Sequence, residues 1–171
     1  MINYRRYSTM QKGITLRFYE KDDLMLYSQL TQDIRVMRYI TEKAETDNET
    51  IEKFQKILDY NADHTDQTGY YKVYDQETYL GFAKLSWDTE EKIEIGYMLV
   101  PEVWGNGYGN QIIRTLLQKI TQSDTLCQAT VYAIIDPNNG ASKHLLQKYQ
   151  FESIWQGIEE GLPSEHLVWN P

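Results

Sequence analysis

Apolar side chains recur along this chain with two periods, and the switches between them mark out the elements. Residues 14–19 read as a short strand closed by the charged run Glu20-Lys21-Asp22-Asp23, and Asp22 or Asp23 caps a helix whose buried side carries Leu24, Tyr27 and Leu30. A second helix, begun through Asp47-Asn48-Glu49-Thr50, sets Ile51, Phe54, Ile57 and Leu58 on one face. Three strands follow at 70–74, 79–87 and 92–100, separated by turn residues and suited to an antiparallel meander. Further on, Ile112, Ile113, Leu116, Leu117 and Ile120 form an apolar stripe backed by Gln118, Lys119 and Gln122, the pattern of a helix lying on a sheet. Then come a β-branched strand at 130–135 and a helix begun at Asp136-Pro137-Asn138-Asn139, with Ala141, Leu145 and Tyr149 on one side. Strands at 151–157 and 165–169 close the chain, with a turn expected around Gly161-Leu162-Pro163.

The resulting order is β-α-α-β-β-β-α-β-α-β-β. It predicts a single α/β (α+β) domain with a mixed, mostly antiparallel central sheet flanked by helices. A length of 171 residues suits one such domain over 13–171, preceded by a short arm at 1–12. No apolar run approaches the length of a membrane span and no signal follows Arg5-Arg6, so the expected setting is the cytoplasm. The formal net charge of −8 speaks against nucleic-acid binding and suits a cationic substrate. Three scattered histidines and one cysteine offer no metal-ligand spacing, and Cys127 reads as a packing residue at the start of a strand.

The chemistry concentrates in Pro101-Glu-Val-Trp-Gly-Asn-Gly-Tyr-Gly-Asn-Gln111, which joins a strand to a helix through three alternating glycines. Without a Cβ, Gly105, Gly107 and Gly109 let the chain turn and let a ligand reach backbone amides, while the helix start adds free N–H groups and a positive dipole end. A triphosphate loop requires Lys-Ser or Lys-Thr after its last glycine, where this chain has Asn110-Gln111. A dinucleotide loop requires G-x-G-x-x-G, whose last place falls on Asn110 or Ile112. The remaining pattern, together with the element order over roughly 14–169, resembles the GNAT family of N-acetyltransferases, whose loop is Gln/Arg-x-x-Gly-x-Gly/Ala. Trp104 stands at the Gln/Arg place, a departure associated with the ribosomal-protein N-terminal acetyltransferase (RimJ/RimL-like) branch. With no Lys or Arg between Pro101 and Arg114, such a loop would work mainly through backbone amides.

The resemblance implies a GNAT acyl-CoA N-acyltransferase fold, acetyl-CoA as co-substrate, no metal, and direct acetyl transfer to a primary amine. The acceptor would be a protein N-terminus or a small molecule. It implies that the loop from Gly105 through Asn106, Gly107, Tyr108 and Gly109 to Asn110 cradles the pyrophosphate, and that backbone groups of Leu99 and Val100 pair with pantetheine. Asn139 would contact the cofactor, and Lys143 can reach its adenosine phosphates. Glu94 is the candidate base: alternation places Ile93, Ile95, Tyr97 and Leu99 toward the core and Glu94, Gly96 and Met98 on the other face. A lysine-like amine of pKa about 10.4 requires about 4.6 kcal/mol to reach its free base at neutral pH, an α-amine only about 1 kcal/mol, so the demand on a base depends on the acceptor. The family's tyrosine acid is replaced by Leu146, which shifts attention to Ser142 as the group serving the leaving thiolate. Ordinary capping remains an alternative for Asn139 and Ser142, as does a solvated strand carboxylate for Glu94. A homodimer is compatible with the resemblance. The competing class is a non-catalytic acyl-CoA-binding module of the same fold.

Overall fold

The computed structural model describes residues 13–64 and 66–171; the expected arm at 1–12 lies outside them. Among the described residues seven strands form one sheet: β1 (Ile14–Phe18), β2 (Gly69–Asp75), β3 (Thr78–Thr89), β4 (Lys92–Leu99), β5 (Thr130–Ile135), β6 (Phe151–Glu159) and β7 (Leu162–Trp169), in the order β1-β2-β3-β4-β5-β7-β6. All neighbours are antiparallel except β4 and β5. The α-helices of the described residues pack on it: α1 (Leu24–Thr31), α2 (Ile34–Met37), α3 (Asp47–Asp63), α4 (Tyr108–Thr121) and α5 (Gly140–Lys148).

The sheet separates two cores. On one side Ile112, Ile113, Leu116, Leu117 and Ile120 of α4 seal against Ile93, Ile95, Val131 and Ala133, all buried. Each such aliphatic burial stabilises by about 2 kcal/mol. On the other side α1, α2 and α3 cover the β2–β4 half with an aromatic cluster built from Tyr19, Tyr27, Phe54 and Phe82. Helix α3 starts on the capping box Thr46/Glu49, in which each side chain satisfies the other residue's backbone N–H.

Several expectations change at the element ends. Asp23 does not cap α1: its carboxylate turns back to the Glu20 N–H at 2.7 Å and to Lys72, and a single 3-10 turn leads into the helix. Helix α2 was not foreseen, because four residues give no measurable period. Helix α3 runs to Asp63, past Leu58, the last apolar position that marks it in the sequence. The last hairpin turns at Glu160 and Gly161, both at positive φ, while Pro163 already belongs to β7 opposite Ile158. Cys127 sits exposed in a 3-10 turn before β5 instead of packing inside.

Candidate active site

Strands β4 and β5 pair only from Lys92↔Thr130 to Glu94↔Tyr132, and beyond that the two strands part. The backbone there has polar groups to spare. The Val100 N–H donates to the Leu80 carbonyl at 2.9 Å, which fixes the alternation and turns the N–H and C=O groups of Tyr97 and Leu99 toward the gap. Trp104 takes one of them, its indole N–H donating to the Leu99 carbonyl at 2.8 Å. Val100 itself is committed, by its N–H to Leu80 and by its carbonyl to the Val103 N–H at 3.1 Å.

The glycine loop closes one end of this gap. Gly105 and Gly107 have φ of +76° and +79°, and a Cβ on either would meet no protein atom, so it would project into open space beside the loop. Gly107 is the N-cap of α4, whose first amides therefore face that space. Gly109 differs: a Cβ there would stand 3.1 Å from both the Tyr97 hydroxyl and Leu145 Cδ2, so its smallness makes room for a tyrosine. Asn106 folds inward, its side-chain amide donating to the Val103 and Trp104 carbonyls at 3.0 and 3.1 Å. Tyr108 is anchored through its hydroxyl to Asp75 at 2.7 Å, and that contact pushes the phenol's pKa up.

Together these parts enclose a cleft of ≈ 580 Å³ between α2, the end of β4, the glycine loop and the start of α5. Of the residues singled out from the sequence, Leu99, Gly105, Gly107, Tyr108, Gly109, Asn110, Asn139 and Ser142 line it. Asn139 also caps α5, accepting from the Ser142 N–H at 3.2 Å, so the capping and cleft positions coincide. Asn106, Val100, Lys143 and Glu94 lie outside the lining. Lys143 instead bridges to the buried carboxylate of Glu165 at 2.9 Å. Burial raises the Glu165 pKa, but hydrogen bonds from Lys143 and Ser153 outweigh it and hold the carboxyl below its usual value. Glu94 pairs with Lys84 on the opposite face of the sheet.

Sequence reasoning missed the cations of the cleft and two of its tyrosines, Tyr39 and Tyr97. Arg35 and Arg38 enter from α2 and the turn after it, so the loop does not face an uncharged wall. Arg35 is held by Asp33 at 2.6 Å and by Glu102 at 3.5 Å, and Arg38 lies 4.7 Å over the Tyr39 ring. Tyr97, assigned to the core by alternation, lines the cleft together with Ser142, its hydroxyl beside Gly109. A second chamber of ≈ 90 Å³ shares Tyr97, Asn139 and Ser142 with the cleft and reaches Gly96 and Ile134. A wider hollow of ≈ 740 Å³ over α1 and α2 contains no part of the loop.

The acetyltransferase (GNAT) domain family matches residues 14–152, spanning β1 to β5, the glycine loop and α5. The chain belongs to that family. It is an N-acetyltransferase with the family's single α+β domain. The fold is shared with spermidine N-acetyltransferase from Vibrio cholerae, solved with CoA and spermine (22% identity, TM-score 0.72, covering 91% of this chain and 94% of that one). It is shared with a GNAT-family acetyltransferase from Bacillus anthracis (18%, TM-score 0.73, 92% and 93%). RimL, a ribosomal-protein alpha-N-acetyltransferase solved with coenzyme A, matches at 14% identity and TM-score 0.73, over 91% and 93% of the two chains.

Proposed function

We propose that this N-acetyltransferase uses acetyl-CoA and transfers acetyl directly to a cationic primary amine that approaches from the face of β4 opposite the cleft. The observation carrying the reading is the parting of β4 from β5, because the small chamber in it has walls from both faces of the sheet. A thioester laid in the cleft and an amine on the far face can meet there.

The residues present fit the co-substrate. The open space at Gly105 and Gly107 and the first amides of α4 suit a pyrophosphate, and Arg35 and Arg38 add positive charge nearby. The Leu99 N–H and Asn139 suit the amide groups of a pantetheine arm. Bound there, acetyl-CoA would supply an acyl carbon activated by a thiolate leaving group. Ser142, in both chambers, can hydrogen-bond that sulfur.

On the far face, Glu94 holds the Lys84 ammonium, and both are only 22% exposed. A carboxylate that already binds one alkylammonium can orient another and take its proton, directly or through water. Tyr132 stands opposite Glu94 in the β4–β5 register, and its phenol is raised by burial and then by the charges of Glu94, Asp88 and Glu159. Trp155 meets His166 edge-on at 5.0 Å beside them. Carboxylates with aromatic faces favour a cation over a neutral amine.

Thiol release from acetyl-CoA tests this with a diamine, a peptide bearing a free α-amine and a neutral-bodied primary amine of equal length. The reading expects release with amide formation, fastest for the acceptor with a second positive charge. Equal rates for all three would remove the acidic face from acceptor choice.

A further inference from the structure

Leu146 occupies the place from which a tyrosine would face the leaving sulfur. It is buried and packs in the core, so it offers no proton. The cleft nevertheless contains a phenol, delivered from the opposite wall. Tyr97 reaches in from β4, lines both chambers, and rests its hydroxyl where Gly109 leaves space beside Leu145. Ser142, from the first turn of α5, shares both chambers with it. A serine alone is a poor acid; a serine backed by a phenol becomes the outer half of a two-hydroxyl relay.

We infer that Tyr97 is the positioning residue and proton reserve for the leaving thiolate, acting through the Ser142 hydroxyl. This rests on the acetyl-transfer reading above. When the tetrahedral adduct collapses, the C–S bond breaks and its electron pair stays on sulfur. The Ser142 O–H proton forms the new S–H bond, and the Tyr97 O–H proton replaces it on Ser142. The phenolate so formed is neutralised by the proton that the attacking nitrogen releases to solvent water. One proton thus passes from nitrogen to sulfur overall, with nothing oxidised or reduced. Burial keeps the Tyr97 pKa above the ordinary phenol value, with Ser142 offsetting part of that shift. The reserve is therefore protonated at neutral pH. The relay also gives Gly109 a second reason to be glycine, since any Cβ would displace the ring.

The test compares Tyr97→Phe, Ser142→Ala and the double variant with the wild type for kcat, the KM of acetyl-CoA and the Kd of CoA by calorimetry. Each single variant is expected to lose about 100-fold in kcat, the range of a positioned acid. The KM and the CoA affinity should stay within twofold, and the double variant should be no slower than the slower single one. Wild-type kcat in Tyr97→Phe, losses that multiply in the double variant, or a CoA affinity that falls as far as the rate would each overturn the inference. Absent turnover in the wild type would instead overturn the acetyl-transfer reading and the inference with it.

Discussion

Replacing Gly107 by alanine separates what the loop does for the fold from what it does for the ligand. Gly107 has φ +79° and ψ +10°, a left-handed conformation that costs an L side chain about 1–2 kcal/mol, equivalent to roughly 2–8 °C in Tm for a chain of this size. The added Cβ meets no protein atom, so steric conflict within the fold adds nothing. Gly161 is a matched control: its φ is +83°, its Cβ would also stand in open space, and it sits at the β6–β7 turn outside the cleft. Gly107→Ala and Gly161→Ala should therefore lower Tm by similar amounts. Only the first puts a methyl between a ligand and the α4 amides, and losing one or two charge-assisted hydrogen bonds of about 1.5–3 kcal/mol each should weaken CoA binding by about 10-fold or more. Thermal melts and calorimetric titration of CoA measure the two effects. Equal CoA affinity in Gly107→Ala, Gly161→Ala and wild type would refute the cradle.

Other consequences follow from individual side chains. Lys143→Met strands the Glu165 carboxylate, 1% exposed, and should cost about 3 kcal/mol in denaturant unfolding with the acetyl-CoA KM unchanged; a raised KM at full stability would return Lys143 to the cofactor. Glu94→Gln should lower turnover more at low pH than at high pH, where the amine needs less help, and a uniform loss across the series would speak against a base. Glu49, held at a pKa of about 2 first by the Thr46 N–H, stabilises α3 fully above its ordinary value of 4.5, and that contribution disappears as pH falls through 2. Wild type and Glu49→Ala should accordingly differ in Tm at neutral pH and converge near pH 2; a gap independent of pH would contradict the capping box.

Much of this architecture is written in local periodicity, which is why the long elements were legible. The α4 stripe and the strand alternation of Ile93 and Ile95 each describe a surface that one partner covers completely. The glycine loop was legible for a related reason, since positive φ at Gly105 and Gly107 excludes most other residues. What failed were features made by distant segments. Tyr97 has the same parity as Ile93 and Ile95, and parity assigns it to the core only while the sheet is continuous; where β5 turns away, the same face becomes a cleft wall. Arg35 sits on a helix too short to show a period and Arg38 just past its end, both far in sequence from the glycine loop with which they line the cleft. The pairs Lys84/Glu94 and Lys143/Glu165 depend on strand register and on how α5 lies over β7, neither of which is encoded in neighbouring residues.

Amide hydrogen exchange with and without CoA measures the central claim directly. The account predicts protection at the amides of 105–111, at Leu99 and around Asn139 to Ser142, with the outer hollow over α1 and α2 unchanged. Protection appearing over α1 and α2 while the glycine loop exchanges as before would contradict it.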